Sequence, residues 1–161
     1  MDKMNKAADV LSKNERLIRV FVLWFCLGMI YLTIEGFWRG WTHIVMLPIG
    51  GFCGIAIGAI NQHPKFYKSK IVWQALIGTV IVLVVELLSG LIVNAWLGMG
   101  IWDYTGKFGN IAGQICIQYG ILWFFLIPFA IWAEDYLRWI FWQEGEPYTV
   151  LSIYKELFTF K

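Results

Sequence analysis

One carboxylate stands inside the most apolar part of the chain. Glu86 lies in the run IVLVVELLSGLIVN, residues 81–94, where aliphatic side chains surround it. On a helix, Glu86, Gly90 and Asn94 follow at steps of four, so one face carries a carboxylate, a gap and an amide. An acid at the centre of a membrane helix opposes insertion by about 2.5 to 3.5 kcal/mol, so this face must point inward. Glu86 then acts either as a functional group or as a structural hydrogen bond that fixes helix register.

Polar side chains also stand at the ends of two other apolar runs. Glu35 and Arg39 lie four residues apart, a spacing that allows an ion pair on one helix face. Asn110, Gln114 and Gln118 follow at steps of four where a later run begins. Three runs thus bring polar groups toward one end of a bundle, where they could receive a small polar solute or a cation.

The loop between these runs reads GMGIWDYTGKFGN, residues 98–110, and is rich in glycine. Glycine permits tight turns and close approach of the backbone. Asp103 and Asn110 have side chains that cap loops and helix starts. The sequence leaves open whether Asp103, Tyr104 and Asn110 only cap this loop or belong to a site.

The composition identifies the elements that position these groups. The chain of 161 residues is 59% hydrophobic and 15% charged, against about 25% charged in soluble domains. About 20 apolar residues cross a bilayer as a helix. Four stretches qualify: 17–38, 43–60, 71–99 and 111–133. We expect one all-α, polytopic membrane domain over residues 1–161, with four transmembrane helices.

The positive charges predict an orientation, because Lys and Arg concentrate in cytoplasmic segments. Eleven of the thirteen fall on one side of a four-span arrangement, and only Arg39 and Lys107 fall on the other. We therefore expect a multi-pass protein of the cell membrane with both termini in the cytoplasm. The basic residues form no face for nucleic acid. Tryptophans favour the lipid headgroup level, and those expected at the outer side are Trp38, Trp41, Trp96 and Trp102.

Two terminal segments flank the spans. Residues 1–16 form a charged, helix-prone lead, which we expect to stay in the mature protein as a cytoplasmic segment. Residues 146–161 form an amphipathic cytoplasmic tail, since Val150, Tyr154, Leu157 and Phe158 recur at helical spacing. We expect this tail to form an interfacial helix that lies on membrane lipids or docks on a partner.

Small residues predict how the spans pack. Gly50, Gly54 and Gly58 form a GxxxGxxxG stripe with Gly51 alongside, a pattern that lets helix backbones approach in lipid. Gly90 and Gly113 join this packing set. The crossing could lie within one chain or between two copies, and a homodimer or larger homo-oligomer is a reasonable expectation.

The residues carry no recognisable catalytic or cofactor-binding motif. Cys26, Cys53 and Cys116 lie in apolar runs without ligand spacing, so we predict no metal site and no disulfide framework. A GxxxxGK[ST] phosphate loop is also missing from the sequence. We therefore expect no cofactor and no catalytic residues, which leaves enzymatic activity open but favours a non-enzyme.

Several of these features together resemble the putative type IV ABC-transporter membrane proteins, the CmpB-like family. The resemblance covers about residues 20 to 135 and includes an ExxxG pattern, WDYT and AGQI. Its matched positions are Glu35, Arg39, Pro48, Gly51, Glu86, Gly90, Trp102, Asp103, Tyr104, Asn110, Gly113 and Trp123. The resemblance implies a small permease component, and hence an ATPase subunit supplied in trans that docks on residues 61–70 and the C-terminal helix.

Three functions remain open at this point. The first is a transporter or permease component with a polar intramembrane site centred on Glu86. Its substrate or ion pathway would comprise Glu35, Arg39, Glu86, Asn94, Asp103, Tyr104, Asn110 and Gln114. The second is a lipid-binding or assembly protein in which the polar cluster only fixes packing. The third is an isoprenoid or lipid enzyme in which Glu86 pairs with Glu35 or Asp103 as acid and base.

Overall fold

The computed structural model describes residues 13–64, 66 and 69–159. The helices are α1 (Lys13–Arg39), α2 (Met46–Gln62), α3 (Ile71–Gly90), α4 (Ile117–Trp142) and α5 (Val150–Thr159). A π-helical turn, Leu91–Trp96, continues α3. The described residues form no β-strand, apart from an isolated bridge between Ile111 and Ile115. Most of the predicted lead 1–16 lies outside the described residues, as do Lys65, Lys68 and Lys161.

The expectation of an all-helical membrane protein is confirmed. Three helices in the described part are long and apolar enough to cross a bilayer, namely Lys13–Arg39, Ile71–Trp96 and Ile117–Trp142. The helix α2 is also apolar but has only 17 residues. The helices form over the apolar runs, and α1, α2 and α4 end where glycine or polar residues follow.

Two glycines of the α2 stripe, Gly50 and Gly54, pack against α1 within one chain, whereas Gly58 faces Glu134 of α4. A β carbon on Gly50 would lie 2.6 Å from the Tyr31 ring, and one on Gly54 would lie 2.7 Å from Leu27 Cβ. The approach is reciprocal, since a β carbon on Gly28 in α1 would meet the backbone oxygen of Leu47. Close contact of backbones without side chains between them is the usual basis of helix association in lipid.

The last long helix begins later than the sequence predicts. We expected a span from residue 111, whereas α4 starts at Ile117. Ala112 and Gly113 have positive φ angles of 51° and 69°, a left-handed conformation that a right-handed helix does not accept. Residues 111–116 therefore form a closed turn in which Ile111 N donates to Ile115 O at 2.9 Å. Consequently Asn110 and Gln114 do not share a helix face.

The C-terminal helix α5 packs lengthwise along α4. Ile153 and Leu157 are buried in the same apolar cluster as Ile127 and Ile131 of α4. The Tyr154 hydroxyl donates to Phe125 O at 2.7 Å. The amphipathic helix predicted here is thus present. Ile153 and Leu157 of its apolar face pack on the bundle, whereas Leu151 and Phe158 are 77% and 66% exposed.

Candidate functional site

A cavity of about 60 Å³ lies in the middle of the bundle, between α1, α2, α3 and α4. Aliphatic side chains from these helices form most of its wall. The exceptions include Glu86 from α3, Trp123 from α4 and Cys53 from α2. Tyr31 also lines the cavity, and its ring stacks on Trp123 with centroids 5.8 Å apart. The sequence analysis identified Glu86 but gave Trp123 no role in a site.

Glu86 is buried, and its carboxyl group is only partly satisfied. The residue is 5% exposed, so the polar face of α3 points inward. Oε2 of Glu86 and Nε1 of Trp123 are both buried, and neither has a hydrogen-bond partner in the described part of the chain. An unsatisfied buried polar group costs about 1–3 kcal/mol, so two in one cavity require an explanation.

At the end of the bundle that holds Arg39, which we call the outer end, Glu35 is held by two partners. Arg39 Nη1 donates to Glu35 Oε1 at 2.6 Å, and the Thr42 hydroxyl donates to Oε2. The second guanidinium nitrogen of Arg39, Nη2, donates to Ile101 O at 2.6 Å. The ion pair that the spacing of four allows is therefore formed. The same guanidinium also lies over the Trp41 ring, 4.4 Å from its centroid.

Asn94 and Gln114 form a second outer cluster. Asn94 Nδ2 donates to Gln114 Oε1 at 2.9 Å, and Asn94 Oδ1 accepts from Ile101 N at 2.7 Å. The Trp102 indole donates to Gln114 O at 3.0 Å. Trp102 is therefore buried at 5% exposure and does not belong to the exposed belt in which the sequence placed it. Its N–H is bonded within the protein.

The loop residues cap their own loop. Asp103 Oδ1 accepts from Thr105 N at 2.8 Å, and Asn110 Nδ2 donates to Thr105 O and Lys107 O, both at 3.0 Å. The Tyr104 ring stacks on Tyr119 at 4.5 Å.

Gly113, which we expected at a helix crossing, lies in this loop region instead. A β carbon on Gly113 would come within 2.8 Å of the Thr105 side chain. Its small size and positive φ therefore serve the turn that precedes α4.

An ionic network at the opposite end of the bundle was missed by the sequence analysis. Glu134, only 1% exposed, accepts from Arg138 Nε at 2.5 Å and from Gln62 Nε2 at 3.1 Å. Arg138 also pairs with Glu144 at 3.2 Å, and Glu144 accepts a hydrogen bond from Arg19. The spacing of four between Glu134 and Arg138 was the available signal. The network joins α1, α2 and α4.

The predicted pathway residues therefore fall into three groups, of which the loop residues Asp103, Tyr104 and Asn110 are one. Ile101 links the Glu35 and Arg39 pair to Asn94 and Gln114, since its N–H and C=O bind one cluster each. Glu86 stands apart in the central cavity. Within residues 13–64, 66 and 69–159, no three His, Cys, Asp or Glu side chains come together as a metal site would require.

Comparison with known proteins identifies a family for this chain. No curated protein and no solved structure matches the chain. The model of one protein family, described as "Putative ABC-transporter type IV", matches residues 20–143. That range contains α1 from Val20 onward, α2, α3, the central cavity and the whole of α4. The chain therefore belongs to this family of ABC-transporter membrane proteins.

Proposed function

We propose that the chain is the membrane-embedded permease component of a transporter, with an intramembrane site centred on Glu86. The observation that carries the proposal is the unpartnered Oε2 of Glu86 beside a cavity bounded by four helices. Ionisable residues inside membrane segments usually mark substrate or ion pathways. A carboxyl oxygen that the protein itself leaves unpaired is available to a bound solute.

The other predicted pathway residues have a different part in this proposal. Glu35 is bonded to Arg39 and Thr42, and Gln114 is bonded to Asn94. Of the remaining members, Asp103 and Asn110 are hydrogen-bonded within their loop, and Tyr104 stacks on Tyr119 of α4. This set forms the outer wall of the site, and it must rearrange if a solute enters from that side.

The proposed arrangement has four spans with both termini in the cytoplasm of the cell. Arg19 and Arg39 are 20 residues apart on α1, which corresponds to about 30 Å of helix and matches the hydrocarbon thickness. Single cysteines can test this topology in a background where Cys26, Cys53 and Cys116 are alanine. A membrane-impermeant maleimide should label Lys107→Cys in intact cells and Gly145→Cys only after lysis. The reverse pattern would overturn the orientation.

The family, together with the missing phosphate loop, supports an ATPase partner supplied in trans. Its docking surface would be residues 61–70 together with α5. Native mass spectrometry of the tagged full-length protein, extracted gently from its own membrane, tests this proposal. A stoichiometric nucleotide-binding subunit supports the proposal, whereas a lone homodimer or larger homo-oligomer would contradict transport driven by ATP.

The role of Glu86 is tested by substitution in cells. Glu86→Gln removes the carboxylate but keeps the shape of the side chain, whereas Glu146→Gln makes the same change at an exposed residue between α4 and α5, outside the proposed docking surface. Comparison of solutes inside and outside the cells should show that Glu86→Gln reproduces the deletion strain and Glu146→Gln reproduces the wild type. A wild-type solute profile for Glu86→Gln at equal amounts of protein in the membrane would contradict the proposal.

Lipid binding is the second candidate, because most of the cavity wall is aliphatic. In that function, Glu86 and Trp123 would hold the polar end of a resident lipid. A lipid that remains bound through purification, without any transported solute, would favour it. The enzyme hypothesis gains no support, since Glu35 is already paired with Arg39.

A further inference from the structure

The central cavity has room for more water molecules than its polar groups can hydrogen-bond. A cavity of about 60 Å³ has room for roughly four water molecules, if each needs about 10–15 Å³. A buried water needs two to four polar partners. The cavity offers two buried atoms without partners, Glu86 Oε2 and Trp123 Nε1, which suffice for one water. The rest of the space therefore suits an apolar group.

The hydrogen-bonding properties of these two atoms limit which polar group a ligand could place between them. The indole N–H of Trp123 can only donate, so its partner must accept. The Glu86 carboxyl accepts when it is ionised and can also donate when it is protonated, so its partner must be able to do either. A hydroxyl does both with one atom, whereas an ammonium group donates to Glu86 but leaves the indole unsatisfied.

The cavity wall indicates where the apolar part lies. Its partly exposed aliphatic members are Ile30 and Ile34 of α1, Ile49 of α2, and Leu126 and Ala130 of α4. Four of these five belong to α1 and α4, so we place the opening of the cavity between these two helices. A chain longer than the enclosed space can extend through this opening along apolar surface.

We infer that the cavity binds an amphipathic alcohol, whose hydroxyl bridges Glu86 and Trp123 and whose hydrocarbon part lies between α1 and α4. This inference rests on the proposed function and names the substrate class of that same site. It stands on the two unpartnered atoms, on the cavity volume and on the aliphatic wall.

The test uses the full-length protein in nanodiscs and a hexadecanol analogue that carries a diazirine and an alkyne. Adducts are mapped by mass spectrometry, and hexadecan-1-ol, hexadecane and hexadecylamine serve as competitors. We expect adducts on α1 and α4, and competition by hexadecan-1-ol at about a tenfold lower concentration than hexadecane. Tenfold corresponds to about 1.4 kcal/mol, the size of a net hydrogen bond.

Two variants separate the hydroxyl contact from folding. The double variant Glu86→Leu and Trp123→Phe should still be labelled, but alcohol and alkane should then compete equally. Trp96→Phe, which changes an exposed tryptophan outside the cavity wall, should keep the tenfold preference. Retained labelling shows that the double variant still folds around an apolar cavity.

Three outcomes would overturn the inference. Equal competition by alcohol and alkane in the wild type would mean that Glu86 and Trp123 satisfy each other or hold water. Stronger competition by hexadecylamine would show that the site binds a cation and not an alcohol. Adducts scattered over the lipid-facing surface would show that the analogue does not bind at a defined site. Competition measures binding alone, so these outcomes are distinguishable from failure of transport, which only the solute profile of Glu86→Gln reports.

Discussion

The side chain of Gln114 occupies the space that a β carbon on Gly90 would fill. Gly90 ends α3 and Gln114 lies in the turn before α4, so the two residues meet at the outer end of the bundle. The same Gln114 oxygen accepts a hydrogen bond from Asn94, which lies about one helical turn beyond Gly90. The glycine therefore makes room for the amide that joins the α3 segment to the turn.

Gly90→Ala should destabilise the protein by about 1–3 kcal/mol, because the added methyl group overpacks the Gln114 site. Gly120→Ala is the matched control, since its β carbon would lie 3.6 Å from Leu83, an ordinary contact. Unfolding in mixed detergent micelles should show a loss for Gly90→Ala and no loss for Gly120→Ala. Equal effects of the two substitutions would mean that Gln114 moves aside without cost.

Arg39→Lys should destabilise the outer end even though it keeps the positive charge. The two guanidinium nitrogens bind Glu35 and Ile101 in different directions, which a single ammonium group does not reproduce. We expect a loss of about 1–2 kcal/mol in the free energy of unfolding.

A double-mutant cycle tests whether Ile101 links the two outer clusters. Arg39 and Asn94 bind the carbonyl and the N–H of Ile101, so Arg39→Lys and Asn94→Ala should be coupled by at least about 0.5 kcal/mol. Arg39→Lys and Tyr148→Phe, at opposite ends of the molecule, should be additive. Additivity in both cycles would show that the clusters are independent.

Local spacing predicted the parts of this structure that depend on one helix or on two neighbouring helices. The Glu35 and Arg39 pair, the inward position of Glu86 and the glycine stripe of α2 are of this kind. The turn over residues 111–116 escaped prediction because it depends on the positive φ of Ala112, a residue type that rarely adopts it.

The ionic network around Glu134 could not be predicted for another reason. Glu134 is buried by residues from α2 and by Arg138, which in turn depends on a contact between Glu144 and Arg19. Arg19 and Glu144 are more than 100 positions apart in the chain. A single sequence does not indicate that such distant residues pair. The position of Trp123 beside Glu86 is likewise a product of helix packing.

Arg138→Met should be strongly destabilising, because it leaves the buried Glu134 carboxylate without its cation. Removal of one partner from a buried ion pair costs about 3–5 kcal/mol. Glu134→Leu combined with Arg138→Met should recover part of that loss, since no charge then remains buried. Thermal unfolding of the three proteins in the same detergent checks this order. A double variant less stable than Arg138→Met would show that the network contributes more than charge neutralisation.

Tyr148 gives the protein a predicted sensitivity to alkaline pH. Its hydroxyl donates to Asp135 Oδ2 at 2.7 Å. Burial, and then the neighbouring Asp135, raise the pKa of Tyr148 above its ordinary value of 10.0. In the unfolded chain this tyrosine loses its proton near that value, while the folded protein retains it. The unfolded state then binds fewer protons, so stability is intact below about pH 10 and falls as the pH rises further.

Stability profiles from pH 8 to 11.5 for the wild type and Tyr148→Phe test this dependence. The variant lacks one hydrogen bond and should be less stable at pH 8, but its stability should fall less steeply above about pH 10. The difference between the two slopes should approach the contribution of one proton. Tyr136→Phe, an exposed position on α4, should follow the wild-type slope. Parallel profiles for Tyr148→Phe and the wild type would show that ionisation of Tyr148 is not linked to unfolding.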